Sequence, residues 1–472
     1  MEDRRWILFS SVLMTTLFVR PLSALSASQQ QPPHIVFIVA DDLGWNDVGW
    51  RDPNMYTPNL DRLARAGTIL SNSYVQPLCS PTRSAILSGY FPYHIGRQKA
   101  FLSPALKLLP EALREFGYAT HMVGKWHLGY CNWQYTPTFR GFDTFYGFYN
   151  GEGAYDFRRD EAVSWEDAGK YSTSLFADRA MDVLMTHDKS QPLFLYLPFQ
   201  APHFPLQVPN YYEDEFCSHI QDTKRRTYCG MVAMLDEAVG NITDLMETLG
   251  YMNNTLLVFT SDNGGRPEDA GNNWPLRGAK GTLWEGGTRG TGFIYSRTLL
   301  PNQGTVHEGL MHAVDWFPTI MSLVGGMAPI GIDGVSQWES IVTGSESPRT
   351  EFVYNIDEID NNAAIRLGDW KLIEGSPGDF NDWYPPPDDD VGQTTAIHDA
   401  EDTVSARQLR LFNIKDDPTE RNDVKDEYPE VLAEMKERLR KWRESLVPAN
   451  FPPDDPAADP NNFDGVWSPG WC

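Results

Sequence analysis

HIVFIVADD, residues 34–42, is an apolar run that stops at two adjacent aspartates. A stretch this continuous suits a strand buried on both faces, not one with a solvent side. Three further segments repeat the arrangement. ATHMV, residues 119–123, leads to Lys125 and His127; LFLYLPF, 193–199, is followed by His203; TLLVFTS, 255–261, is followed by Asp262 and Asn263. Helical patterns lie between them, such as Pro58 to Ala66, with Thr57 placed as its cap and Gly67 as its stop. Strands alternating with helices predict an α/β fold with a largely parallel sheet between helices. Ligands of such sheets bind beyond the carboxyl ends of the strands, so the polar residues after each run are expected at one edge.

Those residues form two chemical groups. Asp41, Asp42, Asp262 and the amide oxygen of Asn263 are oxygen donors, which favour Ca²⁺ or Mg²⁺ over zinc. One calcium ion is expected. Either pair alone could be a turn or a cap after a strand, because Asp, Asn and Gly favour turns; their recurrence at two strand ends favours the metal. Lys125, His127, His203, Lys280 and Arg83 form the second group. A lone histidine is more often structural, and a lone lysine is usually solvated. Together they supply the cationic donors and proton-transfer groups that an anionic ester requires. CSPTR, residues 79–83, opens a segment that reads as a short helix, with Pro81 as a first helical residue and Gly89 as its stop. Cys79 is expected just before that helix, whose N-terminus favours an anion.

Composition narrows the function. The 472 residues carry a net charge of -25 without a clustered basic stretch, which argues against nucleic acid as a partner. Trp6 to Val19 is an apolar run behind Arg4 and Arg5, with small residues from Ser23 to Ser28, and reads as a signal peptide cleaved after Ser26. It is too short to span a bilayer, and no later stretch is long and apolar enough, so no transmembrane anchor is expected. The destination is the secretory pathway, ending in a lysosomal or secreted protein. Sequons at Asn241 and Asn253 agree with that route. Of five cysteines, Cys131, Cys217, Cys229 and Cys472 remain once Cys79 is set aside. Cys217 and Cys229 could close a short loop, but the pairing is open.

Motifs in a fixed order carry a resemblance. VADDLGWNDVGW, QPLCSPTRS, THMVGKWHLG, PLFLYLPFQAPHFPLQVP, SDNGG, GNNWPLRGAKGTLWEGGTRG and AAIRLGDWKLI run from residue 39 to residue 373. The chain resembles the sulfatases of the alkaline-phosphatase superfamily, most closely the animal arylsulfatase B (N-acetylgalactosamine-4-sulfatase) group. It departs from that group in having few cysteines, and residues 99–106 lack a Cys-rich loop. The resemblance implies that Cys79 is oxidised to formylglycine by a formylglycine-generating enzyme, and that calcium sits on Asp41, Asp42, Asp262 and Asn263. It implies that Arg83 and Lys125 steady the formylglycine and the sulfate, that Lys280 and His203 hold the sulfate and help protonate the leaving oxygen, and that His127 acts as the later base.

The implied fold is alkaline-phosphatase-like, a large mixed β-sheet between helices plus a smaller C-terminal α+β domain. After the signal peptide at 1–26, a catalytic domain at 27–345 and a C-terminal subdomain at 346–472 are expected, joined near SESPRT. EFVYNI and AAIRLGDWKLI read as strands, and residues 428–446 as a long helix with Leu432, Met435 and Leu439 on one face. The substrate is expected to be a sulfated carbohydrate or a small-molecule sulfate ester, with a dietary glucosinolate as one alternative. A phosphatase-type relative would lack the Cys79, Pro81, Arg83 combination. An inactive binding homologue would lack a ligand or catalytic group, and none is missing. The loops at 99–106, 151–160 and 379–392 are expected to form the substrate rim.

Overall fold

A computed structural model describes residues 31–96, 101–150, 157–301, 303–384, 408–449, 453 and 455–472. The expected signal peptide lies outside them. The four apolar runs are strands: β1 (His34–Ala40), β2 (Ala119–Lys125), β3 (Leu193–Pro198) and β4 (Thr255–Ser261). They stand side by side in the order β4, β1, β3, β2, all parallel. Six shorter strands extend this group to ten, and antiparallel pairing of Gly292–Tyr295 with β4 makes the sheet mixed.

Alternation along β1 explains why its sequence is apolar throughout. Ile35, Phe37 and Val39 enter one hydrophobic core, while Val36, Ile38 and Ala40 enter another on the opposite face. Helix α1 (Pro58–Ala66) forms as expected, although Thr57 does not cap it with its side chain; its hydroxyl donates to Asp61 instead (2.8 Å). Helix α2 (Cys79–Ser88) is buried along its whole length and ends at Gly89, whose φ of 75° requires the left-handed conformation. Cys79 is its first residue, one position further in than expected, because the extended backbone of Leu78 provides the cap. Helix α3 (Thr223–Leu249) starts at Asp222, which accepts from the Arg225 N–H (2.8 Å). It buries Tyr228, Val232, Leu235, Val239, Ile242 and Met246 at alternating spacings of four and three, the stripe that a helix on a sheet requires.

A second sheet of four antiparallel strands follows: β5 (Glu351–Asp357), β6 (Asn362–Leu367), β7 (Trp370–Gly375) and β8 (Leu409–Asn413). AAIRLGDWKLI is therefore two strands, turned at Gly368 and Asp369. Helix α4 (Pro429–Arg443) covers this sheet and buries Met435 and Leu439. Phe352, Ile365 and Leu411 share one apolar core with Ile35 and Phe37 of the large sheet.

A buried ionic cluster spans the same junction. Lys371 on β7 reaches Glu285 (3.0 Å) and Glu420 (2.7 Å), and Tyr74 and Tyr354 both donate to Glu285 (2.7 and 2.8 Å). Against the cost of burial, Lys371 and Arg366 hold Glu285 down at about 2, whereas burial lifts Glu420 to about 7 despite Lys371. The pair thus shares one ammonium with one carboxylate largely protonated at acidic pH. Removing the cation takes from buried Glu285 its nearest counter-charge and leaves, among the described residues, only Arg289, at 3.9 Å, as an ion-pair partner. Lys371→Met is expected to cost about 3–5 kcal/mol, read as a lowered denaturant midpoint. A triple variant that also carries Glu285→Gln and Glu420→Gln should recover much of that loss, and failure to recover would show that packing, not charge, dominates.

Two disulfides join the remaining cysteines, Cys217 with Cys229 and Cys131 with Cys472. The second fastens residues 467–472 over the segment that follows His127. The N–H groups of Gly470 and Trp471 donate to the Cys131 carbonyl (2.8 and 3.2 Å), and Trp467 and Trp471 pack on Tyr130.

Candidate active site

The residues after the four parallel strands meet at one edge. Lys125 Nζ donates to Asp41 Oδ2 (2.6 Å), and Lys280 Nζ lies 2.6 Å from Asp42 Oδ1. Arg83, from within α2, sends Nε and a terminal nitrogen to Asp262 Oδ2 (3.0 and 2.7 Å) and donates to the Lys125 carbonyl (3.0 Å). His203 Nε2 stands 3.6 Å from Asp42 Oδ2. Cys79 Sγ is 3.8 Å from Asp42 Oδ1. Asn263 Nδ2 donates to Asp42 Oδ1 (2.8 Å), and the Asp42 N–H donates to Asp262 Oδ1 (3.2 Å). Nine of the ten expected residues therefore lie in one contact network.

His127 is the tenth. It follows β2 with a φ of 55°, an uncommon conformation for a residue with a Cβ. Its Nδ1 is buried without a hydrogen-bond partner among the described residues. Burial, with the charges of Lys125 and Arg83 nearby, holds its pKa well below the usual histidine value. The imidazole is thus neutral.

The electrostatics separate the acids. Burial alone would raise Asp41, but Lys125, His203, Arg83 and Lys280 hold its carboxyl well below the usual range. Asp262 is lifted to about 6 by burial and by the adjacent Asp41 charge, despite Arg83. Burial, Asp262 and Asp41 push the Cys79 thiol well above its ordinary value. Unmodified, Cys79 is a protonated thiol and a poor nucleophile.

Two oxygens in this network accept no hydrogen bond among the described residues, Asp41 Oδ1 and Asn263 Oδ1. Buried acceptors seldom stay unpaired, so the two oxygens suit a bound cation. Asp41, Asp42, Cys79 and His203 also place one ligand atom each within 4.8 Å of one another, and this buried group could hold a metal. The two unpaired oxygens argue for hard oxygen donors over the thiol and imidazole.

Supporting residues were not singled out in the sequence. Asp47 accepts from the Tyr228 hydroxyl (2.7 Å) and pairs with Arg225 (2.5 Å), and Tyr228 also donates to the Asp42 carbonyl (3.0 Å). Asn273 accepts from the Gly265 N–H (2.8 Å) and donates to the carbonyls of Gly265 and Gly278 (2.9 and 3.2 Å), tying the turn after β4 to the Lys280 loop. Both sit inside quoted motifs, but the partners of Asp47 lie 178 and 181 positions away, and a pairing at that distance has no local signal. His203 also faces a cleft of about 460 Å³ lined by Lys170, Tyr171 and Gln200. Of the expected rim loops, residues 99–100, 151–156 and 385–392 lie outside the described residues.

So many cationic donors around one buried cluster suit the capture of a tetrahedral oxyanion, and they mark the site as one for anions. More narrowly, residues 33–327 match the Sulfatase family, so the chain belongs to that family and is a sulfuric ester hydrolase. It is 40% identical to arylsulfatase J of Mus musculus over 95% of this chain and 82% of that protein. It is 30% identical to N-acetylgalactosamine-6-sulfatase of Homo sapiens over 89% of this chain and 87% of that protein. Among solved structures, Ps i-CgsB in complex with k-i-k-neocarrahexaose superposes with a TM-score of 0.78 at 28% identity, covering 89% of this chain and 95% of that one. The alkaline-phosphatase-like fold expected from the sequence is the fold observed. Sulfatases generally use formylglycine and a divalent metal. Among the described residues, no helix is long and apolar enough to cross a membrane.

Proposed function

We propose that the protein is a formylglycine-dependent, calcium-requiring sulfatase with arylsulfatase B-like specificity for a sulfated carbohydrate, matured by a formylglycine-generating enzyme. The observation that carries this is the position of Cys79: a protonated thiol at the start of a buried helix, within reach of Asp42 and beside Arg83, Lys125 and Lys280. Converted to a hydrated aldehyde, that side chain offers one hydroxyl to attack sulfur and a second whose deprotonation releases sulfate. A calcium ion on Asp41, Asp42, Asp262 and Asn263 would supply positive charge where the reaction accumulates negative charge.

The chain's own groups supply the rest. Lys125 and Arg83 fix the carboxylates that frame Cys79. Lys280 and His203, both against Asp42, face the oxygens of the bound sulfate and give a proton to the leaving alkoxide. His127, neutral and unpaired at Nδ1, takes the proton that frees the product sulfate. The catalytic part is assigned to residues 27–345 and the supporting subdomain to 346–472. Two disulfides favour an oxidising compartment, so the protein is placed in the secretory pathway, lysosomal or secreted. Asn241 and Asn253 are exposed and open to glycosylation.

The test is direct. The tryptic peptide 66–83, from protein expressed through a secretory pathway that contains the generating enzyme, is expected to carry an aldehyde at Cys79 by mass spectrometry. An intact thiol in a preparation that turns over 4-nitrocatechol sulfate would sink the mechanism.

A further inference from the structure

A second cavity, of about 210 Å³, adjoins the site. Leu78 and Pro81, which flank Cys79, and Gly281, which follows Lys280, form part of its wall. The facing wall is the hairpin of β5 and β6, with Asn355, Asp357, Asp360 and Asn362. Asp357 pairs with Asn362 across the two strands, and Asn355 stands two positions earlier on β5, so the three share one face of the hairpin. Ile356, between them, turns into the core.

Among the described residues, the cavity offers acceptors and no cation. Asn355 Oδ1 and Asn362 Oδ1 are buried without a donor among the described residues, a costly condition unless a ligand supplies one. Asp357 Oδ1 accepts the N–H groups of Ile359 and Asp360 (2.8 and 3.1 Å), which fixes the turn and its carboxylate at the cavity. Among the described residues, no lysine or arginine lines the space. Ligand hydroxyl groups match such a surface, and a second anionic substituent is repelled by it.

We propose that this cavity binds the alcohol half of the substrate as an uncharged, hydroxyl-bearing sugar ring, and discriminates against rings that carry a second sulfate or a carboxylate. The inference rests on the sulfatase reading and extends it: the sulfate pocket accepts any sulfate ester, and the hairpin selects monoanionic ones.

Binding separates the two ideas, because it needs no chemistry. Cys79→Ala protein is titrated calorimetrically with N-acetylgalactosamine 4-sulfate and with its 4,6-disulfate. The monosulfate is expected to bind about 10-fold more tightly. Adding Asn355→Ala and Asn362→Ala should weaken the monosulfate by about 10-fold. Adding Asp357→Asn and Asp360→Asn instead keeps the Oδ1 acceptors of the turn and should narrow the gap between the two sugars. No monosulfate binding, equal affinity after the asparagine changes, or a disulfate that binds more tightly at the outset would each overturn the proposal. Intact sugar selectivity in a protein whose Cys79 form fails to hydrolyse 4-nitrophenyl sulfate would instead overturn the chemistry and leave the cavity standing.

Discussion

Cys79→Ala is expected to lower turnover of every sulfate ester by about 10⁴-fold or more while the protein still folds. The side chain is small, and its one hydrogen bond among the described residues is the weak one to Asp42, so its loss removes few polar interactions. Its chemical loss is total, since no other side chain in the network can serve as the nucleophile: the carboxylates are engaged by cations, and the nearby Thr82 hydroxyl is held by the backbone of Gln76 and Leu78. Circular dichroism and the melting temperature check the fold, and kcat on 4-nitrocatechol sulfate checks the chemistry. Residual activity within 100-fold of the parent protein would move the nucleophile elsewhere.

Asp262→Ala should be nearly as damaging, for two separable reasons. Its Oδ2 holds both Arg83 contacts, so its removal leaves a guanidinium buried without its main partner, at a cost of about 3–5 kcal/mol. Its Oδ1 lies beside Asp42 in the proposed cation cage, so bound calcium should fall together with activity, the latter by about 10³-fold or more. Asp262→Asn keeps an oxygen while removing the charge, and should unfold later than the alanine variant. Metal content by plasma emission decides the assignment: stoichiometric calcium in a folded Asp262→Ala protein would show that the ligands lie elsewhere.

Much of this site is legible in the sequence because the fold places it at strand ends. Each of the four runs is apolar enough to be buried on both faces, and each stops where the polar residues begin, so a parallel sheet brings Asp41, Lys125, His203 and Asp262 together. The neighbours that hold them are illegible for the opposite reason. Tyr228 supports Asp42 from the second turn of a helix, where an aromatic residue reads as core, and its hydroxyl partner Asp47 lies 181 positions away. Likewise, Lys371 within a strand reads as a surface lysine, and only the packing of the second sheet on the first buries it with Glu285 and Glu420. The start of α2 shows the limit of local rules: Pro81 suits the first turn, yet the backbone at Leu78 begins the helix earlier and takes Cys79 inside it.

The bond between Cys131 and Cys472 sets an order in time. Ribosomal synthesis delivers residue 131 long before residue 472, 341 positions later. Until the later cysteine has emerged and been oxidised, the segment after His127 lacks its cover of Trp467 and Trp471. In the chain-entropy picture, closing so long a loop is worth about 6 kcal/mol, more than most single contacts in the molecule. The wall after His127 is therefore completed only once residue 472 has been made and oxidised, and a chain halted short of it carries His127 beside an unfastened wall.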